Sequence, residues 1–382
     1  MKAVILLMVV GVCLTHVHDS TTHRCVHGEI RKRQPILEMP AVSDSEFKRL
    51  LQIDTGAGLT GGSTAGGSTG TSSGPVFGNP NANDGWHNIR IYVDYSYSNR
   101  LINSQPSLST KYQMSIRLVE SVRTYFSNFL QVNFMTYMKF SGGSCYNNKV
   151  PAFEQPIDLF ITIYPENDQS TSYFAAATPC YVSSRDGRPT IGAYILNFAF
   201  LKTNPINEYL YFSTFAHEFT HILGFSNDLF DRYVTPSGQK RGTINVVTNV
   251  QIGSQSFTAI KLPEVLDYAR SYFGCPSIQG VPLENNGGDG SAGSHWEKTF
   301  LPQEYMNPTV ENPGIISDFT MNLLRGTGWY RVAGNAAQRY DWGQSAGCGV
   351  FQICPVATHG YCSESQVGSS VCSSEWTSKV SM

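Results

Sequence analysis

The sequence contains two histidines four residues apart with a glutamate between them. Their types and spacing are suited to metal binding and acid–base chemistry. They lie in FAHEFTHILGFSND, residues 215–228, as His217, Glu218 and His221. Residues four apart on a helix project from the same face, so both imidazoles could reach one zinc ion. Glu218 lies beside that face, where its carboxylate could act as general base on a zinc-activated water. The pattern therefore predicts a hydrolytic zinc site on a helix, with Gly224 placed to end that helix in a left-handed cap.

The third zinc ligand does not follow from this local motif. Catalytic zinc usually takes three protein ligands, and in a common zinc-protease pattern the third histidine stands where this chain has Asn227. The chain has only nine histidines, and most of the others lie in the leader, before the linker or in the Cys-rich tail. On position, His295 in a Gly-rich loop is the best candidate, and Asp228 and Glu264 are the acidic alternatives.

The composition favours an exported globular chain and disfavours nucleic-acid binding. A chain of 382 residues suits two or three compact units. Its formal charge is -2 and no long run of like charges appears, so the basic patch expected of nucleic-acid binders is absent. The N-terminus combines Lys2 with the apolar run 3–14, which is too short to span a bilayer and matches a secretory signal. No later transmembrane segment and no hydrophobic tail of a lipid-anchor signal is visible.

The cysteines fit an oxidising compartment. Of the nine cysteines, Cys13 would be removed with the predicted signal peptide, and Cys25 lies in HRCVH. The other seven should mostly form disulfides. Four of the seven cluster at the end of the chain, which predicts a small disulfide-stapled C-terminal unit: Cys348, Cys354, Cys362 and Cys372.

Periodicity predicts two long helices and several strands after a Gly/Ser/Thr-rich linker at 56–74. The helices are expected at 111–131, where apolar residues recur every four positions, and at 208–225 around the histidine motif. Strands are expected at 89–97, 132–140, 157–165 and 188–200. This order implies an α+β fold, in which one helix crosses a mixed sheet and a second carries the chemistry.

Beyond the helix, the residues resemble the leishmanolysin-like metallopeptidases of the metzincin group. The metzincin pattern HExxHxxGxxH is followed by a methionine turn, and leishmanolysin-like members carry a long insertion before the third histidine. Here 70 residues separate Gly224 from His295, which stands in AGSHWEK, and QEYMNP at 303–308 matches the methionine turn with Met306. The resemblance covers roughly 86–362 and implies His295 as the third ligand.

A second resemblance lies before the linker. HRCVH, residues 23–27, resembles the family's pro-region motif, in which a cysteine caps the zinc and keeps the enzyme latent, so Cys25 is the expected latency switch. Family members usually carry Asp where this chain has Gly28, and they continue with a longer Cys-rich domain. An ordinary disulfide role for Cys25 is the alternative.

The predicted protein is a secreted zinc metalloendopeptidase made as a cysteine-switch zymogen. One Zn²⁺ would be held by His217, His221 and His295, with Glu218 as general base and Met306 beneath the site. The implied fold is a metzincin-type zincin: a mixed twisted sheet with two long helices in the N-terminal lobe, an irregular C-terminal lobe with the Met-turn, and a short Cys-rich tail. The expected segments are a signal peptide at 1–17, a pro-segment with linker at 18–84, a catalytic lobe at 85–225, a central lobe at 226–332, and the tail at 333–382.

The expected partners are protein or peptide substrates, with no nucleic acid and no transmembrane segment, and the chain should be a monomer. A substrate would pair as an extra strand with the sheet edge, expected within 188–197. The expected location is secreted or extracellular, with cell-surface association as a further expectation, and the expected roles are cell adhesion or degradation of extracellular or host proteins. The alternative is a catalytically inactive secreted adhesion or binding protein on the same fold.

Overall fold

A computed structural model of the chain describes seven stretches of sequence and two short strands near its end. The stretches are residues 23–39, 85–133, 137–171, 173–203, 207–253, 255–310 and 313–351, and the strands are 370–372 and 379–381. The predicted signal peptide, the Gly/Ser/Thr-rich linker, Cys354 and Cys362 lie outside the described residues.

The first half of the fold alternates strands with two long helices. In chain order its elements are β1 (His23–Arg24), α1 (His27–Arg33), β2 (Leu37–Met39), β3 (Trp86–Asn88), β4 (Ile91–Asp94), α2 (Ser96–Ser104), α3 (Ser109–Phe129), β5 (Leu130–Asn133), β6 (Met138–Phe140), β7 (Gly143–Cys145), β8 (Asn148–Val150), β9 (Phe153–Gln155), β10 (Leu159–Glu166), β11 (Ala175–Ser183), β12 (Pro189–Asn197) and α4 (Glu208–Leu223).

The second half has shorter elements and more irregular chain. Its elements are α5 (Thr243–Val246), β13 (Val247–Ile252), β14 (Gln255–Ile260), α6 (Pro263–Phe273), β15 (Val281–Pro282), β16 (Thr309–Val310), α7 (Asp318–Gly326), β17 (Tyr330–Val332), β18 (Ser370–Cys372) and β19 (Lys379–Ser381). The α+β class predicted from the sequence is confirmed.

The central sheet has the strand order β2-β11-β12-β10-β4. Only the β11–β12 pair is antiparallel, and the other three pairs are parallel, so the sheet is mixed as predicted. The expected substrate-binding edge at 188–197 is wrong, because β12 lies between β11 and β10 inside the sheet. The edge near the histidine helix belongs to β11, and β2 covers part of it through the pairs from Tyr181 with Leu37 to Ser183 with Met39.

Helices α3 and α4 share one core beneath the sheet. Phe126 of α3 stacks on Phe219 of α4 with ring centroids 6.1 Å apart, and both side chains are fully buried. The helix α4 approaches β12 so closely that a Cβ built on Gly192 would lie 2.6 Å from Ile222. Any larger residue at position 192 would therefore push away the helix that carries the histidine motif.

Two predicted strands differ from the structure. The strand expected at 89–97 is only β4, because the Asp94 carboxylate accepts hydrogen bonds from the backbone and hydroxyl of Ser96, both 3.0 Å, where α2 begins. The strand expected at 132–140 is divided between β5, which pairs with β3 and β17, and β6, which pairs with β9. Strand β11 was not predicted, because both its faces are covered and AAATPCYVS shows no alternation.

The helix α4 ends as expected, although not in the predicted conformation. Its last residue is Leu223, and Gly224 follows with φ 156° and ψ -18°, outside the left-handed α region. A Cβ at this position would meet the Trp329 ring at 3.2 Å. Both the backbone conformation and the close indole therefore favour glycine here.

Within the described residues, two disulfides connect distant parts of the fold, Cys145–Cys180 and Cys275–Cys348. The expectation that Cys348 belongs to a separately stapled tail is wrong, since it ties the chain back to the end of α6. Cys25 is buried and outside any disulfide, which contradicts the alternative of an ordinary disulfide cysteine.

Candidate metal centre

Helix α4 presents His217 and His221 on one buried face. Asn207 is the N-cap of this helix, and its side chain accepts a 3.1 Å hydrogen bond from the backbone of Leu210 in the first turn. Both histidines are fully buried, and their Nε2 atoms lie 3.0 Å apart. The four-residue spacing in the sequence thus brings the Nε2 atoms of the two histidines together.

His295 reaches the same point from the second half of the chain. Its segment is fixed by a bridge between Leu283 and Trp296 and by a 2.9 Å bond from the Glu284 amide to the His295 carbonyl. The His295 Nε2 lies 3.2 Å from the Nε2 of His221 and 3.2 Å from that of His217. Three imidazole nitrogens therefore form a nearly equilateral triangle.

The two acidic alternatives for the third position bind arginines instead. Asp228 accepts a 2.8 Å hydrogen bond from Arg31, and Glu264 accepts a 2.9 Å bond from Arg241. Among the described residues, the only group of potential ligands found together is Cys25, His217, His221 and His295.

Backbone carbonyls fix the tautomer of each histidine. The Nδ1–H groups of His217, His221 and His295 donate to the carbonyls of Tyr305, Phe225 and Ser291 at 2.6, 2.7 and 2.7 Å. With the proton held on Nδ1, each Nε2 carries a lone pair that points into the triangle. This is the arrangement in which outer hydrogen bonds orient metal-binding histidines.

Burial keeps the imidazoles of His217 and His221 neutral. It lowers the pKa of His217 to about 4, against the opposing effect of the Tyr305 carbonyl. Burial and, after it, the neighbouring imidazoles lower the pKa of His221 well below 6.5. Neutral imidazole is the form that binds a metal ion.

The donor set fits a zinc ion. Zinc binds imidazole nitrogen at about 2.0–2.1 Å in tetrahedral sites, and two such nitrogens lie about 3.3 Å apart. The observed separations of 3.0–3.2 Å match that spacing. Three converging lone pairs repel one another unless a cation lies between them, so the residues present fit the metal.

Glu218 lies beside this triangle and is fully buried. Burial raises the pKa of its carboxyl well above 4.5, and hydrogen bonds to the Cys25 thiol and the Ala177 backbone oppose that rise. The motif's three polar residues, His217, Glu218 and His221, therefore all lie inside one closed site.

The loop at 303–308 contacts the histidine triangle and its neighbouring residues through backbone atoms. Met306 is fully buried, and its carbonyl accepts a 3.1 Å bond from the backbone of Trp296, the residue after the third histidine. Tyr305 supplies the carbonyl under His217, and its hydroxyl bonds Thr220 of α4 at 2.8 Å. The sequence indicated Met306, whereas Tyr305 was missed because the contact to His217 uses a backbone atom.

The segment before the linker closes the site. Strand β1 pairs with β16, and the Cys25 amide donates to the Pro308 carbonyl at 3.1 Å, which brings Cys25 Sγ to 3.4 Å from His221 Nε2. His27 stacks on His221 with ring centroids 4.0 Å apart and an interplanar angle of 7°. The role of His27 as a lid over His221 could not be read from the HRCVH pattern.

Contacts of His27 fix its ring in that position. Its Nδ1–H donates to the Ala177 carbonyl at 2.7 Å, and its Nε2 accepts from the Ser226 hydroxyl at 2.9 Å. Burial lowers the pKa of His27 to about 3, so the lid is a neutral imidazole.

A sequence profile of the leishmanolysin peptidases matches residues 131–364, more than half of the chain. The chain belongs to the leishmanolysin family. The family consists of zinc-dependent metallopeptidases, in agreement with the nitrogen triangle.

Individual leishmanolysin relatives match a shorter part. A leishmanolysin-like peptidase of Drosophila pseudoobscura pseudoobscura is 30% identical over 203 residues, 46% of this chain and 30% of the relative. One of Caenorhabditis elegans is 29% identical over 223 residues, with 50% and 33% covered. Leishmanolysin of Leishmania tropica is 29% identical over 174 residues, with 46% and 25% covered. Each match spans a third or less of the relative's length.

Among the residues described for this chain, no helix combines the length and the hydropathy needed to cross a bilayer.

Proposed function

We propose that this leishmanolysin-family chain is a zinc-dependent endopeptidase that cleaves peptide bonds in proteins. The observation that carries the proposal is the triangle of Nε2 atoms of His217, His221 and His295, with the buried Glu218 carboxylate beside it. A site with three protein ligands leaves one zinc position open for water or substrate, as in catalytic rather than structural zinc sites.

The chain's own residues divide the chemistry between them. His217, His221 and His295 would hold the zinc ion, which would supply Lewis-acid chemistry by lowering the pKa of water to about 7 and polarising the peptide carbonyl. Glu218 accepts the proton from the attacking water and delivers it to the leaving amine. Met306 and Tyr305 support the ligands from beneath, as in a metzincin Met-turn.

The substrate is proposed to pair with strand β11. Extended peptides commonly add a strand to an exposed sheet edge, and β11 is the edge strand next to the histidine helix once β2 is removed. Strand β2 itself pairs with β11 from Tyr181 to Ser183, which supports the capacity of this edge to bind an extended chain.

The same proposal includes secretion and latency. Residues 1–17 would be the signal peptide, 18–84 the pro-segment, 85–225 and 226–332 the two lobes of the enzyme, and 333–382 the Cys-rich tail. The apolar run near the N-terminus and the two disulfides support an exported protein. Action on extracellular or host proteins, as a monomer, is part of this proposal.

Removal of zinc is the direct test of the proposed function. Protein processed to remove residues up to about position 80 should cleave an unstructured protein such as casein. A chelator should abolish cleavage, because the three histidines then lack the ion, and added zinc should restore it. A preparation that binds zinc stoichiometrically but cleaves no substrate would contradict the enzyme proposal and favour a non-catalytic binding protein.

Replacement of Cys25 with serine should release latency. The thiol lies 3.4 Å from His221 Nε2, where a thiolate would occupy the fourth zinc position, and a serine hydroxyl is a much weaker zinc ligand. The uncleaved Cys25→Ser chain should therefore hydrolyse casein measurably but more slowly than processed enzyme, because β2 and His27 still cover the β11 edge and His221, while the uncleaved wild type stays inactive.

Leu37→Ala is the matched control for that test. It alters the same segment at a partly exposed side chain and leaves the thiol in place, so it should stay latent. Persistent latency of the Cys25→Ser chain would mean that the segment blocks the site without its thiol.

A further inference from the structure

We propose that Glu304 is a positioning residue for the metal centre, holding the loop that supports both His217 and His295. The inference rests on the proposed zinc site and extends it to a carboxylate that touches neither the ion nor a substrate. It assigns a role to a buried acidic group within QEYMNP, a motif from which the sequence analysis singled out only Met306.

The first argument is the way Glu304 anchors its loop to helix α7. Its side chain is almost completely buried. Oε1 accepts hydrogen bonds from the hydroxyls of Ser317 at 2.8 Å and Thr320 at 2.6 Å, and Oε2 accepts one from the Met306 amide at 2.5 Å. A buried carboxylate needs such donors, because desolvating a charged group without them is costly.

The second argument is the path from Glu304 to His217. The next residue, Tyr305, presents the carbonyl that accepts the Nδ1–H of His217 at 2.6 Å. The Tyr305 hydroxyl also bonds Thr220, one turn further along α4. A shift of the loop would therefore move the acceptor that orients the first ligand.

The third argument is the path from Glu304 to His295. Trp296, the neighbour of His295, is attached to the same network twice. Its amide donates to the Met306 carbonyl at 3.1 Å, and its indole Nε1–H donates to Thr320 Oγ1 at 2.8 Å. The Thr320 hydroxyl thus accepts from Trp296 while it donates to Glu304.

Together these contacts join ligands that are distant in sequence. Residues 217 and 295 come from different halves of the chain, and within this network the Glu304 carboxylate is the acceptor shared by the loop and α7. In a buried network each bond depends on its neighbours, so loss of one partner loosens the others. The expected consequence is a wider or displaced nitrogen triangle with the fold intact.

The test uses the full chain and reads the metal site without relying on activity. Zinc affinity is measured by competition with a chelator, and the visible spectrum of the Co²⁺-loaded chain reports ligand geometry. Glu304→Gln should bind zinc about 10–100-fold more weakly, as losses of outer hydrogen-bond partners do. Its amide would turn one acceptor oxygen into an NH₂ donor facing other donors.

Thr320 supplies a second variant pair in case Glu304→Gln folds poorly. Thr320→Val removes the hydroxyl that joins Trp296 to Glu304 at nearly constant volume, and it should weaken zinc binding and change the Co²⁺ spectrum. Thr320→Ser keeps a hydroxyl at the same place and should restore the wild-type affinity and spectrum.

Asp158→Asn is the control for general destabilisation. Asp158 is also a buried carboxylate with several donors, from His87 and Arg90, but it lies in the first half of the chain away from the loop. It should lower the thermal midpoint and leave zinc affinity unchanged.

The inference would be overturned if Glu304→Gln and Thr320→Val bound zinc as tightly as Asp158→Asn and their Co²⁺ spectra were unchanged. Failure of the wild-type chain itself to bind zinc is a different result, which would overturn the proposed metal site first.

Discussion

His295→Ala should remove stoichiometric zinc from the purified protein and abolish peptide-bond cleavage. Loss of an outer hydrogen-bond partner costs about 10–100-fold in metal affinity, and loss of a direct ligand should cost more than the upper end of that range. The remaining pair, His217 and His221, would leave the ion with two protein ligands instead of the three usual in catalytic sites. Zinc content by elemental analysis and casein cleavage by the processed protein are the two measurements.

The matched control is His87→Ala. His87 is a partly exposed histidine that bonds Asp158 at 3.0 Å and is not part of the nitrogen triangle. Its replacement should leave zinc content at the wild-type level. Full zinc content and activity in His295→Ala would contradict the assignment of His295 as the third ligand. Parallel Asp228→Asn and Glu264→Gln variants would then show which carboxylate serves instead.

The helix and its two histidines could be predicted because their signals are local. Four-residue spacing dictates that His217 and His221 share a face, and the apolar residues around them dictate that this face is buried. His295 could be proposed from the scarcity of histidines and from a family resemblance. Its approach to the other two depends on long-range folding across the 73 residues between His221 and His295, which no local spacing encodes.

Other parts of the site left no signal in residue types. The carbonyls of Tyr305, Phe225 and Ser291 that orient the histidines are backbone atoms, which any residue could supply. Strand β11 was missed because its residues are buried on both sides, so they do not alternate between polar and apolar. The substrate-binding sheet edge was predicted at the wrong strand because strand order depends on pairing between distant segments.

The segment before the linker makes more contacts with the site than its sequence predicted. Its HRCVH pattern indicated only the Cys25 thiol, whereas in the structure His27 also stacks on His221 and Leu37–Met39 adds a strand to the sheet. An ion pair of Arg31 with Asp228 at 2.8 Å adds a further contact. We expect release of this segment to uncover the metal site and the β11 edge together, because one short piece of chain covers both.

Glu218→Gln should reduce peptide-bond cleavage by about 10²–10⁴-fold while zinc content stays at the wild-type level. General acid–base groups typically contribute that factor, and an amide of the same size cannot take up the proton released by the attacking water. Steady-state cleavage of a quenched peptide by the processed protein, with zinc content measured on the same sample, gives both quantities.

Glu208→Gln separates this effect from a general change in helix α4. Glu208 lies in the first turn of the same helix, where its half-exposed carboxylate pairs with Arg117 at 2.6 Å. Exposed pairs of this kind contribute about 0–1 kcal/mol, so Glu208→Gln should retain wild-type cleavage. If Glu218→Gln cleaved as fast as Glu208→Gln, proton transfer would have to be assigned to another group, and the carboxylate beside His217 would have only a structural role.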